Sequence, residues 1–461
     1  MADYQLIYNC PGCGKPSQAP EGSYTNRCEY CNLVVRIGAP GRVLKYFYES
    51  KIDIYGARMA ADRYLKENGL SLTGNVTKTI FYYLPFYRFR GMALDYLDSA
   101  TEIIEAEDGL PLPIKTKPEL KAKDFDVTIP AFDSAGFNLA SLGIRPQSVP
   151  LHGFSREEIS ADTVMVKSDI IPQVAEDQAI ALHQSNLALY NKTRPLFSAM
   201  IGEQISMIYF PVWALTHEIE GNLRTVFIDA LARRGYSQIG GKFSHGDRKP
   251  EDQHSFYFKP LRHQCPNCGA DLKEQHFALF YPCKNCGRSY ILKGDGYTQT
   301  KCLTAGDPIC APYWRFPLEF KSSRLYKTVQ DFSNLLTTEI ALLRKEKKGN
   351  RFYLYSPAFK VSGANRLAEK ALSLLRTQPH EKLTENLPSQ GPVFCIDETE
   401  ARQMAVFLWQ IMASKNSRLQ KDEFCLNEDK LPAGEIVWLP MQDYQLIGKA
   451  ISYKEVNVVN R

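Results

Sequence analysis

The 461-residue sequence predicts a mixed α/β protein of the α+β class, built twice over in a pseudo-twofold arrangement. Each copy is expected to be a four-cysteine segment followed by a mixed sheet with helices. Three observations carry this. Two groups of four cysteines share one spacing, a Pro-aromatic-aromatic-Arg-Phe pentapeptide occurs twice, and strand-like and helix-like periodicities alternate after each cysteine group.

The first cysteine group is Cys10, Cys13, Cys28 and Cys31; the second is Cys265, Cys268, Cys283 and Cys286. Both read C-x2-C-x14-C-x2-C. Each close pair sits on a short turn that can aim two sulfurs at one point. The interval between pairs lets a hairpin bring the second opposite the first, as a tetrahedral metal requires. Gly14, Gly269 and Gly287 stand just after the second ligand of their turns, where the backbone must curl, and Asn32 takes that place in the fourth turn. The opening "MADYQLIYNC" has no basic stretch followed by an apolar one, so an intracellular, cytoplasmic place and metal binding are expected rather than disulfides.

Both segments, roughly residues 4–37 and 262–294, resemble the zinc-ribbon superfamily, which includes transcription-factor-type ribbons and rubredoxins. The resemblance implies two structural Zn2+ sites, with iron of the rubredoxin type as the alternative. It implies little about function, since ribbons serve polymerases, helicases, ribosomal proteins and scaffolds alike. The other cysteines, Cys302, Cys310, Cys395 and Cys425, lack ribbon spacing and receive no chemical role.

Duplication is read from constant offsets. Pro85-Phe86-Tyr87-Arg88-Phe89 and Pro312-Tyr313-Trp314-Arg315-Phe316 lie 227 residues apart, and so do Pro130-Ala131-Phe132 and Pro357-Ala358-Phe359. Pro211 and Pro440 are offset by 229. The ribbons are offset by 255, so the first copy carries about 28 extra residues, placed within 41–75. The expected organisation is a first ribbon over 1–40, an α/β module over 41–239, a linker over 240–259, a second ribbon over 260–296 and a second module over 297–461. The linker is polar and Gly-rich, and its His245 and His254 are read as solvated.

Within the modules, "KTIFYYLPFYRFRGMAL", "DFDVTIPAF" and "ISMIYFPVWALTHEI" read as strands, matched by "ICAPYWRFPLEFK", "RFYLYSPAF" and "EIVWLPMQDYQLI". Proline in each motif predicts a strand edge, a bulge or the start of a strand. Helices are expected at "EDQAIALHQSNLALY", "SGANRLAEKALSLLRTQ" and "ETEARQMAVFLWQIMASK". A longer one is expected over 322–346, where Leu325, Val329, Phe332, Leu336, Ile340 and Leu343 form an apolar stripe. Acids such as Glu398 and Glu400 fit the start of a helix.

The formal charge is +5, and two four-thiolate sites loaded with a dication subtract 4, leaving about +1. Net charge therefore does not argue for nucleic acid or an acidic membrane. The basic run Arg344, Lys345, Lys347, Lys348 and Arg351 reads as a solvated helix end. No phosphate loop, dinucleotide fingerprint, nucleophile elbow or HExxH element is present. With its recurrent aromatic-Pro-aromatic strands, the rest of the chain resembles uncharacterised bacterial ribbon-bearing proteins, which implies an assembly or membrane-stress accessory. The expectation is a non-enzymatic zinc-binding scaffold or adaptor presenting its modules to a protein complex. The alternative is a nucleic-acid-binding protein that uses the ribbons and the Pro-aromatic-aromatic-Arg-Phe strands, with Tyr87, Arg88, Trp314 and Arg315 as the partner or nucleic-acid contacts. A peripheral membrane association stays open.

Overall fold

The computed structural model describes residues 5–38, 43–69, 76–97, 101–105, 111–115, 119–132, 149–153, 163–191, 195–219, 222–237, 260–294, 296–305, 309–322, 324–336, 349–359, 364–379, 383–386, 391–414 and 416–440. The expected linker over 240–259, with His245 and His254, lies outside them. So does the basic run apart from Arg351.

The first half lays down β1 (Gln5–Asn9), β2 (Pro16–Pro20), β3 (Thr25–Arg27), β4 (Val34–Arg36) and β5 (Leu44–Phe47), then helix α1 (Ile54–Glu67). The long strand β6 (Val76–Leu97) follows, with the hairpin β7 (Thr101–Glu105) and β8 (Pro111–Lys115) and the return strand β9 (Glu119–Pro130). Short strands β10 (Leu151–Gly153) and β11 (Thr163–Met165) lead into helix α2 (Pro172–Asn191). The half ends with the 25-residue β12 (Pro195–Ile219), β13 (Asn222–Asp229) and β14 (Gly235–Ser237). Ten of these strands form one mixed sheet, with β6 and β12 antiparallel at its centre. Residues 82–89 of β6 are all buried, because both faces of the sheet are covered, and the run is accordingly aromatic rather than alternating.

The second half contains β15 (Leu261–Arg262), β16 (Phe280–Pro282), β17 (Ser289–Lys293), β18 (Gly296–Thr300), β19 (Leu303–Thr304) and β20 (Cys310–Pro317). The small hairpin β21 (Phe320–Lys321) and β22 (Leu325–Tyr326) precedes helix α3 (Val329–Leu335). Then come β23 (Tyr353–Pro357), α4 (Ala364–Thr377), α5 (Glu398–Ser414) and β24 (Glu435–Pro440). Its main sheet has four strands in the order β19-β24-β20-β23.

The expected α+β fold of two matching modules is corrected by this architecture. Among the described residues the protein is mostly β, 45% strand against 21% helix, with five α-helices. The two main sheets are unequal, ten strands against four. The halves also share one core: Leu94 and Tyr96 of β6 and Ile201 of β12 pack with Trp314, Phe316 and Trp409 of the second half. The physical reason lies in β6 and β12, which run on as a long ribbon and lay their far ends against the second half.

What recurs is a strand register. Phe86 pairs with Pro130 and Ile208, and Tyr313 pairs with Pro357 and Val437. Tyr46 of β5 lies parallel to Ile208, as Leu303 of β19 does to Val437.

Two further expectations change. Pro85 and Pro312 lie in interior strands, not edges: β6 is flanked by β12 on one side and by β9 and β11 on the other, and β20 by β24 and β23. Each ring nitrogen falls where a partner strand ends. There the proline carbonyl still accepts an N–H, from Ala131 and Ala358 respectively, each at 3.0 Å. The long helix expected from residue 322 begins only at Val329. Leu325 is in a strand, and Thr328 with Asp331 forms a capping box that fixes the helix start. Residues 337–348 lie outside the described set.

Candidate metal centres

Each cysteine turn is built the same way. In the first, the Cys10 N–H donates to the Lys15 carbonyl and the Gly14 N–H to the Cys10 carbonyl, both at 2.9 Å. The Cys28, Cys265 and Cys283 turns repeat this pair of bonds within 0.1 Å. Closing the turn needs a left-handed residue after the second cysteine: Gly14 has φ 73°, Asn32 59°, and Gly269 and Gly287 71°. The positions read from the sequence for this role are the ones that fill it.

The turns bring all eight cysteines into two clusters, in each of which the four sulfurs lie within 4.8 Å of one another. Sulfur–sulfur separations are 3.7 Å for Cys10–Cys31 and Cys13–Cys28, 3.7 Å for Cys265–Cys286 and 3.5 Å for Cys268–Cys283. A tetrahedron with metal–sulfur bonds of ~2.3 Å sets its sulfurs about 3.8 Å apart, whereas a disulfide needs ~2.05 Å. The residues therefore fit a metal ion and do not fit disulfides. Among the described residues these are the two groups of His, Cys, Asp or Glu that converge this way. Cys10, Cys28, Cys265 and Cys283 are buried, while Cys13, Cys31 and Cys268 face solvent.

The thiols are prepared unevenly. Burial pushes Cys28 up, but the Ser17 hydroxyl at 3.3 Å and the Cys31 and Tyr30 N–H groups outweigh it and bring the thiol down to about 6. Cys265 falls to about 6 in the same way, with burial opposed by the Cys268 N–H and the Tyr290 hydroxyl at 3.6 Å. Burial and the neighbouring sulfurs push Cys283 up to about 11. Four thiolates cannot share so small a volume without a cation, and a dication supplies that charge. Ser17 and Tyr290 were not foreseen from spacing. The signal for Ser17 is its inward position in β2, two residues from buried Ala19.

The four residues expected to contact a partner are placed inside the chain or paired. Tyr87 and Trp314 are buried; the Trp314 indole donates to the Ile396 carbonyl at 2.9 Å. Arg88 is 0% exposed. Its Nε and Nη2 donate to the two oxygens of Asp126 at 2.8 and 2.7 Å, and its Nη1 to Glu21 Oε2 at 2.8 Å. Arg90 Nη1 reaches the same Glu21 oxygen at 2.6 Å, and the Ser206 hydroxyl donates to Glu21 Oε1 at 2.8 Å. Arg315 is less buried, pairs across the strands with Glu435 at 2.7 Å and lies 4.6 Å over the Tyr353 ring. Of the remaining cysteines, Cys302 and Cys310 are buried, Cys395 is half-buried and Cys425 exposed. Burial, then the nearby Cys310, raises Cys302 to about 12.

Among the described residues no helix is long and apolar enough to cross a membrane. No family model matches the chain, and no curated protein or solved structure does so either.

Proposed function

We propose that this protein is a non-enzymatic zinc-binding scaffold or adaptor, whose two four-cysteine centres hold zinc structurally and brace a surface for a protein complex. The observation that carries the reading is the closed donor set. Four cysteine sulfurs at near-tetrahedral separation fill the coordination sphere of zinc and leave no position for water or substrate. The ion would be held by Cys10, Cys13, Cys28 and Cys31 in one centre and by Cys265, Cys268, Cys283 and Cys286 in the other. A reducing cytoplasm, which keeps such thiols available, suits this role.

Against the nucleic-acid reading, which would use the cysteine segments and the pentapeptide strands, stands the burial of Tyr87, Arg88 and Trp314 and the pairing of Arg315 with Glu435. A mobility-shift assay across a salt series separates the two. The scaffold reading expects no complex at low salt, and a complex that weakens steeply with salt would overturn it. Affinity purification of the native protein, with metal analysis of the same sample, then identifies the protein partner.

A further inference from the structure

The segment that carries Cys265 and Cys268 also grips the hairpin that carries Cys28 and Cys31. On one side of that hairpin, Leu261 and Arg262 of β15 pair with Arg36 and Val35 of β4, and the His263 N–H donates to the Val34 carbonyl at 3.0 Å. On the other side, residues 274–276 close on β3. The buried Thr25 hydroxyl donates to the Gln275 carbonyl at 2.8 Å and accepts from the Gln275 N–H at 3.1 Å. The Thr25 N–H donates to the His276 carbonyl at 3.3 Å, and His276 Nδ1 lies 3.0 Å from the Thr25 carbonyl. Arg27, next to Cys28, binds Glu274 through its backbone N–H at 3.2 Å and its Nε at 3.1 Å. Strands β15, β4 and β3 are thus one small sheet made by both ribbons.

We propose that the two metal centres load cooperatively, because each metal stabilises the clamp of residues 261–276 on the β3–β4 hairpin and so prepares the other site. This rests on the zinc reading above. Strands of two or three residues do not persist alone, so the shared sheet must be held at its ends. Metal at the second centre fixes the turn between residues 263 and 272 and delivers both jaws of the clamp already ordered. Metal at the first centre fixes the hairpin between them. The ordering entropy met by one site is then not met again by the other, which is positive coupling. Linkage requires the factor to be the same in both directions, and couplings of this kind are about 5- to 150-fold.

The test uses the full-length chain under reducing conditions, stripped of metal and titrated with Zn2+ against a chromophoric chelator. A parallel titration with Co2+ is read by its thiolate charge-transfer absorption. Cys268→Ser isolates the first centre and Cys13→Ser the second; both cysteines face solvent, so the core is spared. Thr25→Val keeps all eight sulfurs and removes only the hydroxyl of the clamp. The expected result is that each isolated centre binds more weakly than in the intact chain, by the same factor of about fivefold or more. Thr25→Val should still bind two ions, with that factor reduced. Unchanged affinity in both cysteine variants would overturn the coupling and leave the zinc reading standing. Undiminished coupling in Thr25→Val would overturn the clamp as its route. Absence of thiolate absorption from the intact chain would overturn the zinc reading, and the coupling with it.

Discussion

Arg88 Nη1 donates to Glu21 Oε2 at 2.8 Å, with both side chains out of water, and so joins the middle of β6 to the loop that follows β2 of the first four-cysteine segment. The contact turns a sheet arginine into a bolt between the metal-binding segment and the large sheet. Removing Arg88 leaves the buried Glu21 with Arg90 and the Ser206 hydroxyl, and frees Asp126 from its bidentate cation; removing Glu21 leaves Arg88 with Asp126. Arg88→Ala is expected to cost about 3–5 kcal/mol in urea unfolding. The Arg88→Met, Glu21→Leu double variant should cost less than the sum of its single changes. Additive losses would contradict the bolt.

Arg315 holds the matching place in the second sheet, yet its surroundings differ. It meets Glu435 of the neighbouring strand, whose side chain is 49% exposed, rather than a buried acid from a four-cysteine segment. Exposed pairs of this kind contribute about 1 kcal/mol or less. Arg315→Ala should therefore shift the unfolding midpoint far less than Arg88→Ala, and equal shifts would contradict the contrast.

Glu203 sits at an irregularity of β12, where the pairing with β6 slips between Ile201 and Gln204. Burial first, then Glu176 of α2 and Glu400 of α5, raise its carboxyl to about 8. The folded state therefore holds this proton more tightly than the unfolded chain. The resulting stability is fully present below about pH 4.5 and is lost as the pH rises through about 8. Glu203→Gln should flatten the pH dependence of the melting temperature across that window and raise it at the alkaline end. A variant with the wild-type slope would show that the proton lies elsewhere.

Chelation should act locally before it acts globally. Without metal, the four cysteine turns and the short strands beside them lose their anchor, while the β6–β12 pairing keeps its own core of Phe89, Met207 and Tyr209. Hydrogen exchange after metal removal should accelerate over residues 10–36 and 261–292 and leave residues 82–89 protected. Uniform acceleration would place the metal at the foundation of the whole fold.

The metal-site geometry was legible in the sequence because spacing alone carries it. Two residues inside each turn and fourteen between turns fix where sulfurs can meet, and Gly14 or Asn32 marks the left-handed step. The 227-residue offset was equally legible, and it marks a shared register around Phe86 and Tyr313. The size of the sheets was not. Nothing in local periodicity says that β6 and β12 run on until Tyr96 stacks on Phe197, 6.2 Å between ring centres, against the second half. The fate of Arg88 was hidden for the same reason, since Glu21 is 67 positions away and no pattern joins them. The start of α3 was written in the sequence, in Thr328 and Asp331, but the apolar stripe running through Leu325 suggested an earlier one.

The central claim is that eight cysteines hold two structural zinc ions, and X-ray absorption with metal quantification on the purified full-length protein tests it most directly. The account predicts two zinc ions per chain, each in a shell of four sulfurs at ~2.3 Å with no nitrogen or oxygen ligand. Iron in place of zinc, a mixed shell, or purified protein that carries no metal would contradict it.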